Sequence, residues 1–544
     1  MAKPLTYQPL PDYGVNGLNT QSNPSTLDHT WLTKAENVVL RESGRISFRK
    51  GLKQKVVPTG TAIGSMVEHN DQGTNKIFAS YGTSIYTIDF TAPNTAFPSS
   101  GADVKHTVAN SSGDWQFVNF NDRLHCFHSG VVPQRYDGSL GSGVKWIAHA
   151  TDPASIVTLF DPSCAMGYYG RIWCGGVAEA KDVVYYSNLL DGDDWTGGDT
   201  GLIDLSKVWA TDEVVALAPF YGKLIIFGKE NIVIYNSPET VGSLAVSEVI
   251  RGIGCVSRDS VQAIGDDLVF LSATGLRSLA RTTEKENLPL TDLSVNIKDT
   301  LIRNIGNSTN VKSVYVENEG IYIMSFVDNN INYVFDFKHY TPSEVPRVTT
   351  WTFAEDREPA SLAYTELYSG LLVGQKDGSI AGYEGYFDID LSWDSGAVYT
   401  EAAYTSDISS VWINLGQSVM SSILKRLFIV LEGGSGSILN LRWFKDFSDS
   451  STTSSIDLRP DTSGTVSLWG ASTSLYGATT ATHTHVAATH PQNSLYAPIY
   501  GLKEYKTPLI GTAKNLKLNM SIQSNGYDAS IQDLTLLHKE GKIR

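Results

Sequence analysis

The chain has 544 residues, 41% of them hydrophobic and 18% charged, with a formal net charge of −15. That length exceeds one ordinary core, so several domains or a repeat architecture are expected, and the composition is that of a folded chain rather than a disordered one. The acidic balance argues against a surface that binds nucleic acid by neutralising phosphates.

The opening MAKPLTYQPLPDYG lacks an apolar leader, and no later stretch is long enough to span a membrane. A chain made and folded in a reducing cytoplasm, with no membrane anchor, is expected. The four cysteines, Cys126, Cys164, Cys174 and Cys255, form no Cys-x-x-Cys pair and no evident disulfide framework. Cys126 and Cys174 fall in apolar strand phrases, where a thiol acts as a small hydrophobe. Residues 45–51, RISFRKG, read as a strand with Ile46 and Phe48 on one face and Arg45, Ser47 and Arg49 on the other. This strand is expected to complete the last unit of the repeat that follows.

That repeat is a turn followed by an apolar hairpin. YGKLIIFGKENIVIY, residues 221–235, is typical: β-branched and aromatic residues between Gly and Asn turns. Related phrases are anchored at Ile77, Leu124, Ile172, Leu224, Leu268, Ile321 and Leu371, spaced by 47, 48, 52, 44, 53 and 50 residues. Such a period matches a propeller blade of about four strands. A lone four-stranded sheet cannot bury both faces, whereas blades packed around an axis bury each other's. The expected fold is therefore mainly β: a β-propeller of six or seven blades over residues 76–394, after an N-terminal arm and platform segment, 1–75. Beyond residue 395 the rhythm lengthens into strands of an additional C-terminal β domain, 395–544. This domain is interrupted by a Ser/Thr-rich insertion, 447–493, expected to form a tip or docking element.

Three places offer chemistry. The segment THTHVAATH carries His483, His485 and His490, whose His-x-His spacing puts two imidazoles on one face of a strand. With no carboxylate or cysteine at ligand spacing, they read as polar loop residues rather than a metal centre. Residues 187–199, SNLLDGDDWTGGD, are acidic and Gly-rich; their spacing fits neither a sialidase Asp-box nor an EF-hand, so a turn capped by Trp195 is expected. Glycoside hydrolysis needs two carboxylates facing across a pocket, and no motif accompanies such a pair here. Walker, dinucleotide and Gly-x-Ser-x-Gly signatures are absent from the sequence. No catalytic residue and no cofactor is assigned.

Residues 17–54, GLNTQSNPSTLDHTWLTKAENVVLRESGRISFRKGLKQ, resemble the opening of the tail nozzle or tail-tube proteins of short-tailed double-stranded DNA bacteriophages, including those called packaged-DNA stabilisation proteins. Asn37, Gly44, Arg49, Lys50 and Gly51 match that pattern, with Arg49-Lys50-Gly51 where Arg-Pro-Gly is more usual. The phrases DVVYYSNLLDGDDW, VVALAPFYGKLIIFGKENIVIYNSP and GIGCVSRDSVQAIGDDLVFLSATGLRSL are similar to the family's central phrases, and LKRLFIVLEGG and NLKLNMSIQSNGYDASIQDLTLL to its closing strands.

The resemblance implies a structural, non-enzymatic protein of the virion tail, held in the host cytoplasm before assembly. It implies a homo-hexameric ring below the portal and its adaptor protein, contacting tail fibre, spike or needle proteins. The ring would retain packaged double-stranded DNA and conduct it during ejection, without sequence-specific binding. A narrow acidic channel repels phosphates, in keeping with that role. The alternatives are a propeller-type glycan-processing enzyme, which needs convergent carboxylates at the propeller axis, and a generic propeller interaction scaffold.

Overall fold

The computed structural model describes residues 5–41, 44–56, 60–88, 105–141, 144–209, 211–280, 292–307, 310–389, 401–416, 421–434, 437–458, 502–524 and 526–540. The chain forms two compact units: Gly51–Glu384 with Asp388–Ala402, and Met1–Lys50 with Gly385–Phe387 and Ala403–Arg544. Among the described residues, no helix is long and apolar enough to cross a membrane.

The first unit is a β-propeller. Six four-stranded blades alternate along the chain with short turns, and a three-stranded sheet, Gln262–Ile264, Asp267–Ser272 and Gly275–Ser278, takes the fifth position. All seven anchor residues of the sequence repeat lie in the second strand of their sheet, and all are buried. Strand Lys223–Gly228 shows why these strands read as continuous apolar runs. Leu224 and Ile226 pack with Trp173, Val184 and Cys164 of the preceding blade, while Ile225 and Phe227 pack with Leu268 and Phe270 of the following sheet. Each blade is thus half of two cores, and alternate side chains serve opposite neighbours. The same sharing joins blades one and two through Phe78, Trp115 and Tyr136, and blades two and three through Phe127, Phe160 and Trp195. All four cysteines are buried free thiols within these layers.

Ring closure differs from the sequence expectation. The outer strand of the last blade, paired with Ile380–Tyr383, is Leu52–Val56, not the segment of Ile46 and Phe48. Leu52, Gln54 and Val56 turn inward while Lys53 faces solvent, and Val56 joins Ile63, Ile77, Leu372 and Ile380 in the core that links the last blade to the first. Gln54 interrupts the apolar pattern and hides this strand in the sequence. Strand Ile46–Phe48 instead pairs with Val38–Leu40 and with Ser530 and Ile531, in the other unit. It is buried on both faces, so Ser47 does not point to solvent as alternation alone suggests.

The second unit holds two sheets. One runs Val38–Leu40, Ile46–Phe48, Ala529–Glu540, Ser422–Gly433 and Leu502–Pro508, with Leu5–Pro9 also on Ala529–Glu540. The other includes Trp31–Glu36, Thr405–Ser410, Asn515–Gln523, Ile438–Lys445 and Ser451–Asp457. Strict alternation of buried Leu516, Leu518, Met520 and Ile522 with polar neighbours gives the long strand one apolar face. The expected boundaries shift accordingly: residues up to Lys50 belong with the C-terminal strands, and the propeller begins at Gly51 rather than near residue 76. Part of the Ser/Thr-rich stretch, Ser451–Asp457, is a regular edge strand. The remainder, including His483, His485 and His490, lies outside the described residues.

Candidate functional site

Asn37, Gly44 and Arg49 are brought together as structure. Asn37 sits at φ 56°, a left-handed conformation that Asn tolerates better than most residues. Its side-chain amide donates to the Thr405 carbonyl at 2.9 Å, and its Oδ1 accepts from Arg49 Nε at 2.9 Å. Arg49 is 0% exposed, lies 4.1 Å from the centre of the Tyr404 ring, and accepts the Tyr404 hydroxyl on its carbonyl oxygen. A buried guanidinium is stable only when its donors find acceptors; here Nε has Asn37, and Nη1 donates to the Lys50 carbonyl at 2.9 Å. Gly44 turns the chain at φ 74°, against Asp12. Lys50 and Gly51 fall on either side of the boundary between the units.

The propeller unit contains a cavity of about 290 Å³ lined by Ser65, Trp115, Gln116, Gln262, Ser313 and Ser361, among others. These residues come from the first strands of their sheets, which lie side by side around the ring. In the cavity Arg258 meets Asp259 at 2.7 Å and Asp114 at 2.8 Å, and Lys312 meets both carboxylates at 2.5 Å. Arg258 also donates to the Ser163 carbonyl at 2.8 Å. Burial alone would raise the pKa values of the two carboxyls, yet Arg258 and Lys312 outweigh it and hold both below the usual range. Two cations and two anions therefore neutralise one another on the inner wall. Paired carboxylates held in the ionised form supply no general acid, which a glycoside hydrolase requires.

A second polar cluster lies where the acidic loop of blade three covers blade two. His125, His149 and Asp193 form a group with metal-ligand spacing. The Trp195 indole N–H donates to His149 Nδ1 at 3.1 Å, which assigns the His149 proton to Nε2, 3.0 Å from His125 Nδ1. The Nε2 lone pair that a cation would need is thereby occupied. Arg135 and Arg123 also sit against Asp193. The chemistry fits a buried proton-bearing network rather than a cation site. Burial, then Arg135 and Arg123, push the His125 pKa down to about 3, and burial with His125 and Arg135 lowers His149 well below its ordinary value. The expected Trp195-capped turn is present: Trp195 is buried, and Asp194 Oδ1 accepts from the Thr196 and Gly197 amides. Neither cluster was found from sequence, because its members come from different blades and share no local spacing.

No family model and no curated protein matches the sequence. Among solved structures the chain is similar to PorZ, described as an essential bacterial surface component of the type-IX secretion system of Porphyromonas gingivalis. Identity is 10% and the TM-score 0.36, over 69% of this chain and 44% of that one. It is also similar to a chain from a crystal structure of the mitotic checkpoint complex, at 9% identity and a TM-score of 0.35, over 62% of this chain and 94% of that one. The chain thus spans less than half the length of PorZ.

Proposed function

We propose that this protein is a structural component of a short phage tail. In this reading it forms a hexameric nozzle that continues the DNA channel below the portal and adaptor, retains packaged DNA, conducts it during ejection, and carries fibre, spike or needle proteins. The observation that carries the proposal is the joining of two distant stretches of resemblance. Residues 17–50 of the N-terminal motif and the closing strands, more than 350 residues apart, fold as one unit, with Ile46 and Ser47 paired to Ile531 and Ser530. A match in two separate stretches that proves to be one domain is stronger support than either phrase alone. Electron microscopy of the purified chain tests this. Six-fold rings with an open lumen are expected; particles of single-chain size at every concentration would overturn it.

A further inference from the structure

The turns between first and second strands of blades three and four are Tyr169-Gly170 and Tyr221-Gly222. Each is a two-residue loop, closed by Tyr168 opposite Arg171 and Phe220 opposite Lys223. All four central residues have positive φ, the pattern of a type I′ turn. Asn, Asp or Gly normally takes the first of these positions, as Asn121 does in blade two at φ 48°. Tyrosine there is strained, and its local contacts are few: Tyr169 and Tyr221 lean on the Tyr168 and Phe220 rings, and the Tyr221 hydroxyl donates to the Asp266 carbonyl at 3.1 Å.

Both tyrosines are exposed, Tyr221 by 66%. Beside them the exposed Leu189 and Leu190 lie over Gly170, with side-chain carbons 3.2 and 3.3 Å from where a Cβ would stand, and the Tyr169 hydroxyl lies 3.7 Å from the same point at Gly222. Leu190, 62% exposed, is itself at φ 59°. Three large apolar residues are thus held in unfavourable backbone conformations while facing water, in one patch across two blades. Asp266 adjoins Tyr221, and Glu239 lies near Tyr168, so the rim is acidic.

The C-terminal unit carries a complementary face. On its first sheet Tyr7, 63% exposed, meets Phe428 at 6.2 Å between ring centres, and Leu5 is exposed beside them. Lys506 lies 5.5 Å from the Phe428 ring, Arg426 stands opposite Leu537 next to Tyr7, and Lys539 opposite Leu5. Glu432 and Asp533 lie further along that sheet and Glu504 is ion-paired with Lys506 at 2.9 Å, so the basic charge this end offers comes from Arg426 and Lys539.

We propose that the Tyr169/Tyr221 patch of one copy docks on the Tyr7/Phe428 face of a second copy. Two different surfaces of the same chain make a head-to-tail contact, which closes into a ring when the rotation allows. Aromatic anchors supply the burial, and the acidic rim against Arg426 and Lys539 supplies register. The inference rests on the ring-forming reading and names its contact.

The test is native mass spectrometry and sedimentation of the full chain. Tyr169→Asn with Tyr221→Asn suits the turns better than the natural residues, so this variant is expected to fold with an unchanged or higher Tm and to associate at least tenfold more weakly. Two charge-reversed variants, Glu239→Lys with Asp266→Lys and Arg426→Glu with Lys539→Glu, are each expected to stay monomeric alone and to co-assemble when mixed. A wild-type oligomer unchanged in all these variants overturns the contact and leaves the ring reading standing. A wild type that is monomeric throughout overturns both.

Discussion

His125 makes the seam between blades two and three sensitive to acid, by an amount its environment sets. Its folded pKa is about 3, against an ordinary value of 6.5, because burial and two guanidinium groups oppose its charge. The folded state therefore holds it neutral, while the unfolded chain takes up a proton as pH falls through 6.5. The stabilisation is fully present above 6.5 and is lost progressively between 6.5 and 3. At about 1.4 kcal/mol per pKa unit, lowering the pH from 7 to 5 removes roughly 2 kcal/mol through this residue alone. Urea unfolding of the wild type and of His125→Gln, at pH 7, 6 and 5, reads that quantity as the change in their stability difference. Gln retains an acceptor toward His149 and does not titrate, and His149 is common to both proteins and cancels. The stability difference should move by about 2 kcal/mol toward the variant over this range. A difference that stays constant with pH would refute the assignment of His125 as a buried neutral imidazole.

Asp259→Asn leaves Arg258 and Lys312 short of a counter-charge on the inner wall, and thermal unfolding should show a loss of about 3 kcal/mol or more. Val56→Asp puts a charge into the core that joins the last blade to the first and should cost several kcal/mol, whereas Lys53→Asp on the solvent side of the same strand should change stability little. Asn37→Ala removes two buried hydrogen bonds and places Ala at a positive φ, for a loss of about 3 kcal/mol in unfolding experiments. The four thiols should react with Ellman's reagent only after denaturant is added, since all are buried and burial raises their pKa values.

The propeller was legible because its second strands are buried on both faces. A strand such as Lys223–Gly228 must be apolar at consecutive positions, and seven such runs at a near-constant period leave few other architectures. The closing strand was not, because an outer strand covers one neighbour only and tolerates Gln54, Lys53 and Lys55 within five residues. Ile46 and Phe48 look like the better candidates by hydrophobicity, but what made them apolar was burial in the other unit. The polar clusters were illegible for a different reason. Arg258, Lys312 and Asp114 meet across three sheets, and His125, His149 and Asp193 across two, so no window of sequence contains their relationship.

The order in which the chain is made has a consequence for how it reaches this fold. The propeller ring closes once Tyr383 is available to pair with Leu52. The other unit cannot finish so early: Leu5–Pro9 pairs with Thr535 to Lys539, about 530 residues further along the chain. At roughly 5–20 residues per second the N-terminal strand waits on the order of half a minute to two minutes for its partner. During that interval strands Leu5–Pro9 and Ser422–Gly433 each lack Ala529–Glu540 as their partner and expose a sheet edge. A ribosome stalled past Tyr383 would therefore hold a folded, protease-resistant propeller, while the surface carrying Tyr7 and Phe428 forms only after Ala529–Glu540 has emerged to pair with both strands.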